Sequence, residues 1–186
     1  MNYLKFLIEY FKSPRTVGAV APSSEKLAQK MVQDIDFNSA KCIVEYGPGT
    51  GVFTEVLIKK RREGTLLLLV EYNKVFYNGL VNKYGDLNDV LIINDSAENI
   101  DKHLKKYNIK VVDYIVSGLP FASLPKNVSG KILKTSGQML KRKGVFITFQ
   151  YTLFKKEYIR SYFKNVEYDR VFLNFPPAYV LRCQNR

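Results

Sequence analysis

Residues 44–54 read VEYGPGTGVFT, with glycine at positions 47, 49 and 51 directly after an apolar stretch that contains an acid. Glycine adopts positive φ without strain and carries no Cβ that would block the close approach of a ligand. The residues before the glycines predict a strand over 41–46, and those after them predict a helix over 51–62. A strand, a glycine-rich turn and a helix in this order are typical of the ligand-binding edge of an α/β sheet.

The same alternation of strands and helices continues to the end of the chain. Apolar runs predict strands at 65–72, 89–95, 111–118 and 144–151, amphipathic segments predict helices at 73–84, 97–107, 128–142 and 155–163, and a closing strand pair follows at 165–174 and 178–184. We therefore predict an α/β fold with a Rossmann-like, doubly wound, seven-stranded sheet, mostly parallel with an antiparallel last strand, and an N-terminal helical extension. The expected organisation is one domain over 1–186, with helices and a lid in 1–36 and the core in 41–186.

Composition limits the kinds of partner that the chain can have. With 186 residues, 46% of them hydrophobic, the chain has room for one well-buried domain. It shows neither a secretory signal nor an apolar run of about 18 residues, so we expect a cytoplasmic protein with reduced thiols at Cys42 and Cys183. These two thiols and the lone His103 do not have the spacing of a metal site, and we expect no metal. The net charge of +12 favours an acidic partner, either nucleic acid or an anionic membrane surface.

Acidic residues stand at the ends of the first three predicted strands. Glu45 precedes the glycines, Glu71 ends the second strand and Asp95 follows the third. A carboxylate after the second strand can accept hydrogen bonds from ribose hydroxyls in any adenosine cofactor. The glycine spacing G-x-G-x-G differs from the G-x-G-x-x-G of dinucleotide sites, which disfavours a nicotinamide cofactor.

Several stretches carry a resemblance to a known family. VEYGPGTGVFT (44–54), LVEY (69–72) and NDSA (94–97) resemble the cofactor motifs of class I S-adenosylmethionine-dependent methyltransferases, and the resemblance extends over 13–184. Three more stretches, at 13–24, 116–121 and 174–182, are similar to bacterial phospholipid N-methyltransferases of the phosphatidylethanolamine-methylating type. The departures are small: Tyr46 and Phe121 stand where that family often has leucine.

The resemblance implies S-adenosyl-L-methionine as the cofactor and a set of residues around it. The implied cofactor-binding residues are Glu45, Gly47, Gly49, Gly51, Glu71, Tyr72, Asp95, Ser96 and Ser117. Ser117, Gly118, Leu119 and Pro120 would border the site of methyl transfer, and 18–24 would form part of a lid. Because an amine must lose a proton before it is methylated, Tyr46, Tyr151 and Tyr179 are candidates, from their predicted positions, to assist that loss. The chemistry does not require a strong acid or base, so we expect His103 to be incidental.

The methyl acceptor is left open between two substrates. Residues 2–12 predict an amphipathic helix that can lie on an anionic membrane, which favours a phospholipid amine, a location on the inner face of the membrane and a monomer. The alternative is an RNA adenine N6-methyltransferase of the rRNA dimethylase kind, favoured by the basic charge. Against it, Ser117 and Gly118 stand where those enzymes carry an asparagine, and we expect no C-terminal RNA-binding domain. A third possibility is a cofactor-binding module without catalysis.

Overall fold

The computed structural model describes residues 25–172 and 177–185. The amphipathic helix expected at 2–12 and the lid expected at 18–24 lie outside these ranges, as does part of the motif at 174–182. The described helices are α1 (Glu25–Val32), α2 (Val52–Lys60), α3 (Lys74–Tyr84), a 3-10 turn (Ala97–Asn99), α4 (Ile100–Lys106), α5 (Lys126–Met139) and α6 (Lys156–Arg160). The strands are β1 (Cys42–Tyr46), β2 (Leu66–Val70), β3 (Val90–Ile93), β4 (Val112–Ser117), β5 (Leu140–Gln150), β6 (Asn165–Val171) and β7 (Ala178–Gln184).

The seven strands form one mixed sheet in the order β3-β2-β1-β4-β5-β7-β6. Strands β1 to β5 pair in parallel, and β7 is antiparallel to both of its neighbours, β5 and β6. This confirms the predicted Rossmann-like sheet with an antiparallel last strand. The strand order reverses between β1 and β4, and ligands of doubly wound folds bind outside the carboxyl ends of the strands at such a point.

Helices cover both faces of the sheet. Successive residues of a strand point to opposite faces, and in β1 Ile43 packs into one apolar cluster while Val44 packs into the other. Leu57 of α2 belongs to the first cluster and Leu133 of α5 to the second. The central strands are therefore buried on both sides, which explains why their sequences are almost continuously apolar.

The start of β5 differs from the prediction. The sequence predicts a helix to 142 and a strand from 144, whereas α5 ends at Met139 and β5 begins at Leu140 with a shift of register against β4. Asp113 of β4 lies at this irregularity and forms an ion pair with Lys141 of β5. The same carboxylate accepts hydrogen bonds from the backbone amides of Lys41 and Cys42 at 2.8 and 2.9 Å, so it joins the starts of three central strands.

Both cysteines of the chain are buried and free. Burial raises the pKa of the Cys42 thiol to about 12. Within the described ranges, no helix combines the length and apolarity needed to cross a membrane. The same ranges hold no group of three or more acids, histidines and cysteines placed to ligate a metal ion.

Candidate functional site

The loops that follow β1 and β4 touch each other at the reversal of strand order. Gly47 has a φ of +62°, and a Cβ there would lie 2.8 Å from Cδ2 of Leu119. A Cβ on Gly118 would lie 2.8 Å from the carbonyl oxygen of Gly47. Both positions therefore need glycine for this close approach. The contact brings the glycine motif of the first half of the chain against the Ser117–Pro120 motif of the second half.

Gly51 has a different structural role from the other two glycines of the motif. It precedes α2 with a φ of +88°, and a Cβ there would lie 3.3 Å from the ring of Tyr84 in α3. Positive φ and the packing of α2 against α3 thus explain this glycine without a ligand. Its expected contact with the cofactor stays a prediction.

Glu71 follows β2 and holds the glycine loop with its carboxylate. Oε2 accepts a hydrogen bond from the amide of Gly49 at 3.0 Å, and Oε1 accepts one from the amide of Asn73 at 2.7 Å. The side chain is buried, and this burial raises its pKa despite the backbone bonds, which act in the opposite direction. A carboxylate has about four acceptor positions, so these two bonds leave capacity for the hydroxyls of a ribose.

Glu45 is a fully buried acid beneath the first turn of α2. Its Oε2 accepts a hydrogen bond from the Thr54 hydroxyl at 2.7 Å, while Oε1 has no hydrogen-bond partner among the described residues. Burial, reinforced by the nearby Glu71, raises the pKa of Glu45 to about 8, although the bond from Thr54 lowers it. A buried acceptor without a partner is costly in a folded protein and is often explained by a ligand or an ion. Two neighbouring buried carboxyls favour a ligand that carries positive charge.

Asp95 follows β3 and forms a small polar cluster with α4. Its Oδ1 accepts hydrogen bonds from the Ser96 amide at 2.7 Å and from Nδ2 of Asn99 at 3.0 Å, and Oδ2 lies 2.8 Å from Nε2 of His103. Partial burial acts to raise the pKa of Asp95, but these bonds outweigh it and lower the pKa. The exposed Tyr72, predicted beside Glu71, has its carbonyl oxygen bonded to Asn94.

The residues predicted to border methyl transfer form a half-buried turn after β4. The Ser117 side chain is buried, and its Oγ accepts a hydrogen bond from the Leu119 amide at 3.3 Å, so this hydroxyl shapes the turn. Gln150, at the end of β5, holds the other side of the turn: its Oε1 accepts from the Ala122 amide at 3.3 Å and its Nε2 donates to the Leu119 carbonyl at 3.4 Å. Gly118, Leu119 and Pro120 are therefore placed by bonds from two strands and by the glycine loop.

Tyr46 requires a correction. Because residues alternate along a strand, its side chain points to the sheet face opposite that of Glu45, and it is fully buried in the second apolar cluster. Its hydroxyl lies 3.3 Å from Oγ of Ser136, which in turn donates to the Ile132 carbonyl. Burial also raises the pKa of Tyr46 well above its ordinary value. The prediction that Tyr46 assists proton removal is wrong, because a buried, bonded phenol on that face does not reach the ligand edge.

The other two tyrosines with that predicted role lie near the carboxyl end of β5. Tyr151 packs edge-to-face on Phe149 at a distance of 5.4 Å between ring centroids. Tyr179 of β7 pairs with Gln150 in the ladder and lies against Tyr168 of β6. A role for either in proton removal stays a prediction.

The structure adds residues that the sequence reasoning did not single out. They are Thr54 on Glu45, Asn73 on Glu71, Asn94 between β2 and β3, and Gln150 on the turn after β4. His103, which the sequence predicts to be incidental, has its Nε2 2.8 Å from Oδ2 of Asp95. Asn94 donates to the Glu71 carbonyl at 2.9 Å and so joins two strand ends. Only Asn73 had a recognisable signal, an asparagine directly before a predicted helix, since asparagine is a preferred N-cap. The other bonds join residues of different strands, helices or connecting loops, which the sequence pattern does not pair.

The site fits S-adenosylmethionine on its own chemistry. That molecule is a cation at its sulfonium and ammonium groups, and it carries hydrogen-bond donors on its ribose and its adenine. The carboxyl edge of the sheet offers acceptors that match these groups in charge: Oε1 of Glu45, which has no partner among the described residues, the partly used carboxylate of Glu71, and Asp95. Gly47 and Gly118 keep the backbone between these acids free of side chains.

The curated proteins that are similar to this chain include lipid and RNA methyltransferases. No family model matches it. An ornithine lipid N-methyltransferase of Singulisphaera acidiphila is 26% identical over 185 residues, covering 98% of this chain and 96% of that protein. A ribosomal RNA small subunit methyltransferase A of Hydrogenobaculum sp. is 29% identical over 122 residues, covering 66% of this chain and 42% of that protein. The chain thus spans nearly the whole of the first relative and less than half of the second.

Solved structures share the fold at low sequence identity. A precorrin-6y C5,15-methyltransferase of Geobacter metallireducens matches with a TM-score of 0.67 and 13% identity, covering 87% of this chain and 88% of the other. An S-adenosylhomocysteine-bound methyltransferase of Podospora anserina matches with a TM-score of 0.60 and 15% identity, covering 99% and 89%. Fold, site and relatives together define the class of this protein. It is an S-adenosylmethionine-dependent methyltransferase with a Rossmann-like fold.

Proposed function

We propose that this protein transfers methyl groups to the amine of a membrane-lipid headgroup. The observation that carries the proposal is the similarity to an ornithine lipid N-methyltransferase along almost the full length of both chains. Ornithine lipids and phosphatidylethanolamine both present a primary amine close to the membrane surface. We propose phosphatidylethanolamine as the first acceptor to test and an ornithine lipid as the second, since the two share this chemistry.

The residues of the site would hold the cofactor by charge and hydrogen bonding. In this proposal Glu71 accepts from the ribose hydroxyls, Asp95 accepts from the adenine amine and Glu45 faces the positive charge of the methionine part. When bound, S-adenosylmethionine supplies a methyl group that its sulfonium activates for displacement. The task of the protein is then to orient the acceptor and exclude water, and the rest of the site is arranged for this task.

The turn over Ser117–Pro120 would orient the acceptor. It contacts the glycine loop through Gly47 and Gly118 and is held by Gln150, so its backbone is fixed relative to the three acids. An amine must be unprotonated to accept a methyl group, and a half-buried turn disfavours the charged form by desolvation. No dedicated base is needed in this proposal, which is consistent with the buried position of Tyr46.

RNA is the second candidate substrate. It is supported by the similarity to ribosomal RNA methyltransferases and by the net charge of +12. At the turn, however, Ser117 and Gly118 replace the asparagine that the RNA enzymes are expected to use on their target amine. A buried hydroxyl bonded to the Leu119 amide does not supply the same donor and acceptor pair.

The deciding experiment is a methyl-transfer assay with three acceptors offered separately to the purified full chain. These are vesicles with phosphatidylethanolamine, vesicles with an ornithine lipid, and unmodified ribosomal RNA, each with methyl-labelled S-adenosylmethionine. We expect label in at least one lipid and none in RNA. Label in RNA with both lipids unlabelled would overturn the proposal.

A matched pair of variants controls the assay. Glu71→Ala removes the acceptor for the Gly49 amide and the expected ribose contact, and it should abolish labelling of every acceptor. Glu63→Gln changes an exposed acid just before β2, at the edge of the sheet opposite the site, and should leave labelling unchanged. Labelling that survives in Glu71→Ala would show that the methyl group comes through a different site.

A further inference from the structure

The last described strands present an unusual row of aromatic and basic side chains. Tyr168, Arg170 and Phe172 alternate with other residues along and just beyond β6, so they share one face of the strand. Tyr168 and Phe172 are large side chains with 43% and 69% of their surface exposed. Tyr179 of the neighbouring β7 pairs with Arg170 in the ladder and joins the same face. We call these four residues, together with Lys156 of α6, the β6 surface.

Cations and rings of the β6 surface are in direct contact. Nζ of Lys156 lies 4.6 Å from the centre of the Tyr168 ring, and the guanidinium of Arg170 lies 4.7 Å from the Phe172 ring and 5.7 Å from the Tyr179 ring. Tyr168 and Tyr179 meet edge-to-face at 6.1 Å. Such contacts hold the two basic groups beside the rings.

Positive charge dominates around the β6 surface. Glu167 and Asp169 alternate with its members and so fall on the other face of β6, where Asp169 is bonded to Lys30 and Arg182. Glu157, the acid next to Lys156, is 4.0 Å from it and 3.9 Å from Arg160. Beyond Phe172 lies a cleft of about 930 Å³ whose charged lining is Glu25, Lys26, Lys30, Lys60 and Arg170.

A further exposed aromatic residue, Phe154, lies just before α6. Phe154 has 86% of its surface exposed and precedes Lys155 and Lys156 directly. Like Phe172, it has no polar group that could bind water. Large exposed apolar patches rimmed by polar residues mark surfaces that bind a partner, whereas a single exposed apolar side chain does not.

The β6 surface lies at the edge of the sheet that carries the site. β6 ends and β7 begins at the carboxyl edge of the sheet, where β4 leads into the Ser117–Pro120 turn. In the strand order β4-β5-β7-β6, β6 is three strands away from β4, or about 14 Å. A lipid held by its chains in a membrane beneath Phe172 would therefore present its headgroup toward the turn.

We propose that Phe154 and the β6 surface dock this enzyme onto an anionic lipid membrane. Phenylalanine rings enter the boundary between headgroups and acyl chains, while Lys156 and Arg170 meet anionic headgroups. Single-stranded RNA is the less suitable partner, because bases stack on open ring faces and here cations lie over the rings of Tyr168, Tyr179 and Phe172. The inference rests on the proposed lipid substrate and names the surface that reaches it.

The test compares vesicle binding of surface variants of the full chain. Co-sedimentation is measured with phosphatidylcholine vesicles that contain or lack phosphatidylglycerol. The double variant Phe154→Ser with Phe172→Ser should partition into anionic vesicles about tenfold less than the unmodified chain. Val75→Ser, which alters an apolar side chain exposed to 76% on α3, should change partitioning by less than about twofold.

Charge variants test the electrostatic half of the proposal. Lys156→Gln and Arg170→Gln should each weaken binding to anionic vesicles about fivefold at low salt, and the difference should vanish at high salt. Lys110→Gln removes an exposed lysine just before β4, at the opposite edge of the sheet, and should have a smaller effect. Binding of S-adenosylhomocysteine, measured by calorimetry, should stay unchanged in all of these variants.

The results separate this inference from the proposed function. If the double phenylalanine variant binds vesicles like the unmodified chain, the docking surface is refuted, even where lipid methylation is observed. If that variant loses RNA binding while vesicle binding is unchanged, the surface is an RNA site and the inference also fails. Methylation of detergent-dispersed lipid should persist in the double variant, since the site itself is intact. If the unmodified chain methylates no lipid in any form, the proposed function fails instead.

Discussion

Replacing Glu45 by glutamine should make the unliganded protein more stable and its cofactor binding weaker. The physical reason is the buried carboxyl, whose pKa rises from 4.5 to about 8 on folding. A carboxyl with a raised pKa binds a proton more tightly in the folded state than in the unfolded state. Below the unfolded pKa it therefore does not change the free energy of unfolding. Between the two pKa values it lowers this free energy more and more as the pH rises, and above the folded pKa the decrease is constant.

The size of the effect follows from the two pKa values. At pH 7 the unfolded glutamate is ionised while the folded one is largely protonated, and each pH unit above 4.5 costs about 1.4 kcal/mol. Ionisation of this carboxyl thus lowers the free energy of unfolding at neutral pH by roughly 3 kcal/mol. Glutamine resembles the neutral acid in shape and bonding, so Glu45→Gln removes this penalty alone. For a chain of this length the melting temperature should rise by roughly 6 to 12 °C at pH 7, and by little near pH 5.

The assay is calorimetric melting of both proteins across this pH range, with Glu63→Gln as the exposed control. Isothermal titration with S-adenosylmethionine completes the experiment: cofactor binding to the unmodified protein at pH 7 should release up to one proton, which two buffers of different ionisation enthalpy would reveal. The variant should bind more weakly and release none. If Glu45→Gln lowers the melting temperature at every pH, or if the gain is independent of pH, the reasoning from the buried carboxyl is refuted.

Three further substitutions, one of them with a matched control, test the site. Gly118→Ala places a Cβ 2.8 Å from the Gly47 carbonyl oxygen and should abolish methyl transfer. Its control is Gly79→Ala, where no atom lies within 4 Å of the added Cβ, and this change should be neutral or stabilise the fold by about 0.5–1 kcal/mol. Equal methyl-transfer activities of the two variants would contradict the contact between the loops. Tyr46→Phe should retain methyl transfer and lower the free energy of unfolding by about 1 kcal/mol, and a large loss of turnover in the folded variant would restore its catalytic role. His103→Ala removes a bond that lowers the pKa of Asp95, so this pKa should rise in the variant. On acidification, the affinity for S-adenosylhomocysteine should then begin to fall at a higher pH than in the unmodified protein. Identical pH profiles of affinity would contradict this coupling.

The fold was predictable because local patterns and the global architecture agree. Apolar runs such as Leu66–Val70 are buried on both faces, and the glycines after β1 mark the reversal of strand order. The start of β5 was not predictable in the same way. There the three basic residues at 141–143 continue a helical pattern, while in the structure Lys141 lies in β5 and pairs with Asp113, a residue remote in sequence.

The site was predictable where it follows from strand ends and not where it depends on side chains that meet in space. The sequence points to Glu45 and Glu71 because they stand at the ends of the first two strands, and in the structure the two buried carboxyls interact electrostatically. Their partners Thr54 and Asn73 come from helix starts. Tyr46 was misjudged because its place in the motif suggests nearness to the ligand, while the alternation of the strand turns its side chain into the core.

The most direct measurement is a crystal structure of the protein with S-adenosylhomocysteine. We expect the ribose hydroxyls within hydrogen-bonding distance of the Glu71 carboxylate and the adenine amine on Asp95. The amino group of the methionine part should lie beside Oε1 of Glu45, which has no partner among the described residues. A ligand bound away from the carboxyl edge of β1 and β2, or a ribose that leaves Glu71 bonded to backbone amides alone, would contradict it.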